Sequence, residues 1–214
     1  MPEEVFKLQG QRIRLEPLGL HHVDGLAQAS AENRELYRWS PVPSGKAEAT
    51  QYIETALVWQ QAGTAVPFAI VSATDNAVIG STRFWNIERW MWPQGHPSHG
   101  RGVPDVCEIG YTWLANSSIR TGANTEAKLL MLRHAFEVWQ ALRVCFHTDS
   151  RNQRSRTALE RIGAKFEGIL RAHRMAADSI PRDSVRYSII ASEWPGVRHR
   201  LIGLLNGQTL SQQV

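Results

Sequence analysis

Residues 108–136 constrain the fold most, because within one short stretch the side-chain period changes from two to 3.6 across a one-glycine turn. Ile109, Tyr111 and Trp113 alternate with Gly110 and Thr112, and aromatic and β-branched residues at that period predict a strand ending near Leu114. Beyond the polar Asn116, Ser117 and Ser118, the apolar Leu129, Leu130, Leu132, Ala135, Phe136 and Trp139 recur at helical spacing. A long helix therefore begins close to Gly122 or Asn124. At the junction, residues 120–125 carry small or hydrogen-bonding side chains, which leaves their backbone N–H groups open to close approach. A helix N-terminus with free amides attracts anions. A plain strand, loop and core helix fits the same residues, and one glycine does not separate the two readings.

The flanking segments complete an α/β pattern. Residues 11–18 alternate as a first strand, 21–30 and 32–39 read as helices, and Pro41 and Pro43 end the second before a longer helix over 46–60. Two strands, 68–73 and 78–85, face each other across Thr74, Asp75 and Asn76, a hairpin composition. Residues 89–106 are rich in glycine and proline and predict a long functional loop, in which Trp90 and Trp92 either wall a pocket or pin the loop. A strand at 144–148, a helix at 152–162 with Gly163 as its C-cap, strands at 165–175 and 182–190, and a helix at 193–205 follow. The Gln-rich tail is expected to fray. This order predicts a mixed, mostly antiparallel central sheet with helices on both faces, an α/β (α+β) fold.

At 214 residues, the chain is read as a single domain with its core over about 8–192 and a C-terminal helix and tail at 193–214. Hydrophobic residues at 43% and charged residues at 21% are globular values, and no run resembles a membrane span or signal peptide, so a soluble, cytoplasmic protein is expected. The net charge of +4 is spread rather than striped, which argues against nucleic acid as a partner, while a pI near 9.4 favours anionic ligands. Cys107 and Cys145 each lie inside a strand pattern and are expected to be buried free thiols. His96, His99 and Cys107 offer three metal-ligand types but no fourth at a recognisable spacing, so no metal is expected.

Three pieces, E-I-G-Y-T-W-L at 108–114, R-T-G-A-N-T-E-A at 120–127 and R-N-Q-R-S-R-T-A-L-E-R-I-G-A at 151–164, together with the element order, resemble the GNAT superfamily of N-acetyltransferases. The resemblance is narrower to the branch with the RimJ- and RimL-type ribosomal-protein acetyltransferases, and it covers nearly the whole chain. It implies acetyl-CoA as cofactor, with CoA as product. It also implies that backbone groups at Trp113 and Leu114 meet the pantetheine arm and that the loop of Ile119, Arg120, Thr121, Gly122, Ala123, Asn124 and Thr125 wraps the pyrophosphate. Asn152 and Ser155 then border the thiol end. The family's Q/R-x-x-G-x-G/A loop, aligned on Gly122, puts Ile119 at the Gln/Arg position and Asn124 at the last Gly/Ala, with Arg120 one place along to supply charge. Where many relatives carry a tyrosine acid this chain has Leu159, and Ser155, like the serine of the RimL-type enzymes, takes the acid role.

The resemblance implies direct attack of a primary amine, of a protein N-terminus or a small molecule, on the thioester. That requires a base, an oxyanion donor and an acid. Glu108 is the first base candidate, its pKa expected to be raised beside an apolar pocket, and Glu88 the second. Backbone N–H groups near Trp113 are the expected oxyanion donors. His147 and Asp149 share one strand face and serve as base, substrate contact or structural groups. A non-catalytic acyl-CoA sensor is the competing reading, motivated by the altered loop and the missing tyrosine. A nucleotide-binding fold of another kind lacks its motifs. The acceptor and the oligomeric state are left open, a homodimer among the possibilities.

Overall fold

In β3 (Ala65–Ser72), Val66, Phe68 and Ile70 enter one apolar core while Ala69 and Val71 enter a second on the opposite face. This is the period-two behaviour of a strand buried on both sides. The computed structural model describes residues 6–176 and 178–207, and the Gln-rich end of the chain lies outside them. Among the described residues the strands form one sheet in the order β1 (Leu8–Gln9), β2 (Ile13–Pro17), β3, β4 (Val78–Glu88), β5 (Val106–Leu114), β6 (Arg143–Asp149), β8 (Pro181–Ile190) and β7 (Lys165–Met175). Every pairing is antiparallel except that of β5 with β6. The mixed, mostly antiparallel sheet expected from the element order is the one observed.

Helices cover both faces. α1 (Val23–Ala31) and α2 (Gly45–Gln61) bury Leu26, Ala49, Ile53 and Ala56 in the smaller core, which we call the upper face. α3 (Ala123–Arg133), α4 (Gln153–Ile162) and α5 (Trp194–Leu205) bury Ala127, Leu130, Met131, Leu159, Ile162, Trp194, Val197 and Leu201 in the larger, lower core. α5 packs on α3 and α4, and its Trp194, Val197 and Leu201 join the lower core. The first strand expected at 11–18 is β2, and the short β1 ahead of Gly10 was not expected. The expected short helix at 32–39 is a 3-10 turn at Arg34–Tyr37, and α3 gives way to a π-helical turn at His134–Val138.

Glu126, 5% exposed, explains how the chain start is tied to α3. Its carboxylate accepts the backbone N–H groups of Gln11, Arg12 and Ile13 at 2.9, 2.8 and 2.8 Å. A Cβ at Gly10 would fall 2.6 Å from Glu126 Cδ, so the turn closes over the carboxylate because glycine stands there.

Candidate active site

A strand must change face if it gains one residue, and β5 gains one at Tyr111, which has φ +52°. Its register with β4 slips between Ser81↔Trp113 and Arg83↔Gly110. Ile109 consequently enters the lower core and Trp113 the upper one, although they sit four residues apart. The bulge has a second effect. β5 and β6 pair only from Val106↔Arg143 to Glu108↔Cys145, and beyond Glu108 they part. A wedge opens between the rest of β5 and the rest of β6, with Glu108 at its vertex.

The mouth of the wedge carries the predicted anion loop. Arg120 (φ +64°) and Gly122 (φ +90°) both adopt the left-handed conformation, and Gly122 is the N-cap of α3 without a side-chain cap. Ser118 and Ile119 donate to Ala115 and Asn116, and the Ala123 amide reaches Thr121 Oγ1 at 3.4 Å. The amides of Arg120, Thr121, Gly122, Asn124 and Thr125 have no acceptor among the described residues. Left-handed residues in a turn aim successive N–H groups into one concavity, an anion cradle. Arg161 of α4 bonds Thr125 Oγ1 at 3.4 Å and brings positive charge alongside. On the other flank of the loop a cavity of about 800 Å³ is bounded by Glu32, Asp75 and Arg12. Its two carboxylates make it a poor host for a diphosphate.

Strand alternation decides which backbone groups face the wedge. Ala115 donates to Ile79 of β4 at 2.8 Å, and the Trp113 carbonyl crowds Gly80 on the same side. Trp113 is therefore turned to β4, not to the wedge, and Leu114 is turned to the wedge. Of the backbone N–H groups near Trp113, the Leu114 amide is the one directed into the wedge. The Leu114 carbonyl accepts Tyr37 Oη at 2.8 Å, Arg154 Nη2 donates to the Leu36 carbonyl at 2.8 Å, and the Arg151 guanidinium lies 4.1 Å from the Trp39 ring. The segment around the 3-10 turn thus straps the mouth from β5 to α4.

At the vertex, Glu108 is 2% exposed. Arg174 holds it at 3.1 and 3.4 Å, and His147 Nδ1 lies 2.9 Å from its Oε2, off the line of a strong hydrogen bond. Burial alone would push the carboxyl up, but His147 and the Arg174 guanidinium outweigh it and hold the group below the ordinary carboxylate range. The expected upward shift is thus reversed, and Glu108 is an anion at neutral pH. A cavity of about 150 Å³ beside it is lined by Glu88, Cys145, His147 and His173. Burial and the neighbouring Arg174 and His147 push His173 down to about 4, so that imidazole is neutral at neutral pH.

The remaining candidates separate cleanly. Asn152 caps α4, its Oδ1 accepting the Ser155 amide at 3.0 Å, while the Ser155 hydroxyl is half-buried. Asp149 faces the same way as His147 but is committed to Arg151 at 2.8 and 2.9 Å. From the level of Glu108 to Asp149 is four residues along β6, roughly 13 Å, so Glu108 and Ser155 stand at opposite depths of the wedge. Glu88 is exposed at the end of β4. Trp90 and Trp92 both donate to the buried Asp105, at 2.8 and 2.9 Å, and so pin the loop. No cluster of three His, Cys, Asp or Glu side chains among the described residues is arranged to hold a metal, and no helix among them is long and apolar enough to cross a membrane.

Lys128 and Arg83 were not predicted. Lys128 is 5% exposed on the lower side of the wedge, its Nζ 2.8 Å from Thr112 Oγ1 of β5 and 5.8 Å from the Phe146 ring of β6. Burial pushes its amine down to about 7. Its spacing of four from Leu132 and seven from Ala135 puts it on the buried stripe, a signal the sequence does carry.

Residues 12–165 match the family described as "Acetyltransferase (GNAT) domain". The chain belongs to the GNAT acetyltransferase family. A protein of T. thermophilus, named by inference as an acetyltransferase, is 35% identical with a TM-score of 0.76, over 96% of this chain and 100% of that one. RimJ of Mycobacterium smegmatis, solved with a CoA disulfide, has the same fold with a TM-score of 0.76 at 21% identity, over 94% of this chain and 95% of its own. YdaF of Bacillus subtilis, named by inference as a ribosomal N-acetyltransferase, is 35% identical over 89 residues, 42% of this chain. The chain spans 48% of that relative's length in the match. The likeness to RimJ is one of fold.

Proposed function

We propose that this GNAT protein transfers the acetyl group of acetyl-CoA to a primary amine by direct attack on the thioester. The observation that carries the reading is the wedge, with an uncapped cradle of amides at its mouth and a buried carboxylate at its vertex. The free amides of residues 120–125 and Arg161 hold the diphosphate, and Leu114, turned into the wedge, meets the pantetheine and the developing oxyanion. Acetyl-CoA supplies an activated acyl group with a thiolate leaving group. In the balanced reaction a C–N bond forms and the C–S bond breaks. The amine proton passes through water to the Glu108 and His147 pair at the vertex, and the thiolate takes the proton of the Ser155 hydroxyl, which solvent at the mouth restores. The acceptor is a protein N-terminus or a small-molecule amine. Both cysteines are buried, and a cytoplasmic setting is part of the reading.

Thiol release from acetyl-CoA in the presence of an amine panel tests this. Turnover is expected, and Glu108→Gln should lower kcat/KM by roughly 10²-fold or more while leaving CoA affinity unchanged. CoA binding without turnover on any amine would instead identify a non-catalytic acyl-CoA-binding module.

A further inference from the structure

Arg83 of β4 is 1% exposed, yet it has no salt bridge among the described residues. Its guanidinium lies under three rings, 4.7 Å from Tyr52, 5.3 Å from Trp59 and 4.2 Å from Tyr111. The rings cover its faces by cation–π contact but accept none of its in-plane N–H groups. Nε and Nη2 are buried without a partner. These two nitrogens share one edge of the guanidinium and form one complete fork, the geometry that grips a carboxylate with two parallel hydrogen bonds. A third donor, Trp85 Nε1, is also buried and unpartnered. Its ring packs 5.4 Å from both Trp59 and Tyr111. Buried polar groups are nearly always satisfied, so three orphaned donors around one aromatic cluster suit an acceptor-only group.

The cluster adjoins the reaction centre. Arg83 pairs with Gly110 and Trp85 with Glu108, so the fork and the Glu108 carboxylate lie on one face of the sheet, about 7 Å apart along the strand. Gly110 keeps the space between them clear: a Cβ there would sit 3.3 Å from Glu108 Oε1 and 3.7 Å from Trp85 Nε1. Trp59, Trp85 and Tyr111, the rings around the fork, are each only half-buried.

We infer that Arg83, with Trp85, binds a carboxylate of the acceptor, and that the acceptor is a small amine carrying that carboxylate a few bonds from its nitrogen, as in a free amino acid. The inference rests on the acetyl-transfer reading above and narrows it. The amine lies at Glu108 and His147, and the carboxylate lies in the fork.

The test compares the twenty free amino acids with their C-terminal amides as acceptors, with acetyl-CoA stabilisation of the same preparation measured alongside. The expected result is a preference for acids over matching amides of about 10²-fold or more in kcat/KM, since a site built to bond a group rejects the analogue lacking it. Arg83→Met should abolish that preference while acetyl-CoA still stabilises the protein, and Arg83→Lys should retain part of it. Should Arg83→Met fail to fold, the wild-type comparison decides alone. Equal use of acids and amides, or no transfer to either by a protein that acetyl-CoA stabilises, overturns the inference. No stabilisation by acetyl-CoA overturns the acetyl-transfer reading itself.

Discussion

Lys128→Met is expected to raise the melting temperature by about 10 °C at pH 6 and by far less at pH 10. The ammonium of Lys128 is taken out of water with a hydroxyl and a distant ring face for company and no carboxylate bonded to it. Burial brings its pKa from the ordinary 10.5 down to about 7. Below pH 7 the amine is protonated in the folded and unfolded states alike, and the folded state bears the full cost of the buried charge. Between pH 7 and 10.5 the unfolded chain binds the proton and the folded one does not, so stability rises with pH through that window. At roughly 1.4 kcal/mol for each unit, the cost below pH 7 is on the order of 3–5 kcal/mol. Methionine fills similar volume without it, and a chain of this size gains about 2–4 °C per kcal/mol. Thermal melts of both proteins from pH 6 to 10 check this. An equal gain at every pH would assign the effect to packing. A lower melting temperature would make the bond to Thr112 a net stabiliser.

Gly122→Asp is expected to reduce CoA affinity by about 10²-fold or more, and Gly122→Ala by less than about tenfold. At φ +90° any side chain is strained, by roughly 1–2 kcal/mol, and alanine reports that strain alone. Aspartate adds a carboxylate at the N-cap of α3, where it can accept the free amides of Asn124 and Thr125. It would occupy the donors offered to a diphosphate and repel what remains of it. Calorimetric titration with CoA measures both variants. Unchanged affinity in the aspartate variant would remove the diphosphate from this loop.

These expectations show where the sequence was legible. The order of elements along the chain, the free-amide junction at Gly122 and the cap at Gly163 were readable because each rests on local chemistry. The bulge was not. Ile109, Tyr111 and Trp113 keep perfect alternation, and the left-handed residue is a tyrosine rather than the glycine that would announce it. The direction of the Trp113 and Leu114 backbone therefore could not be read correctly. Glu108 was readable as a carboxylate in the right strand, but its clamp is not, because Arg174 and His147 come from strands 66 and 39 residues away. Arg83 stands in an apolar strand pattern where a lone charge reads as solvent-facing. Only the rings of α2 and the bulged Tyr111 enclose it.

The central claim is that the wedge is an acetyl-CoA site, and the melting temperature with acetyl-CoA, with CoA and with ATP tests it most directly. A ligand at about a hundred times its Kd adds roughly 2.7 kcal/mol, a shift of about 5–10 °C in a chain of this length. Stabilisation by acetyl-CoA and CoA but not by ATP is the predicted result. No shift with either CoA species, or an equal shift with ATP, would contradict the account.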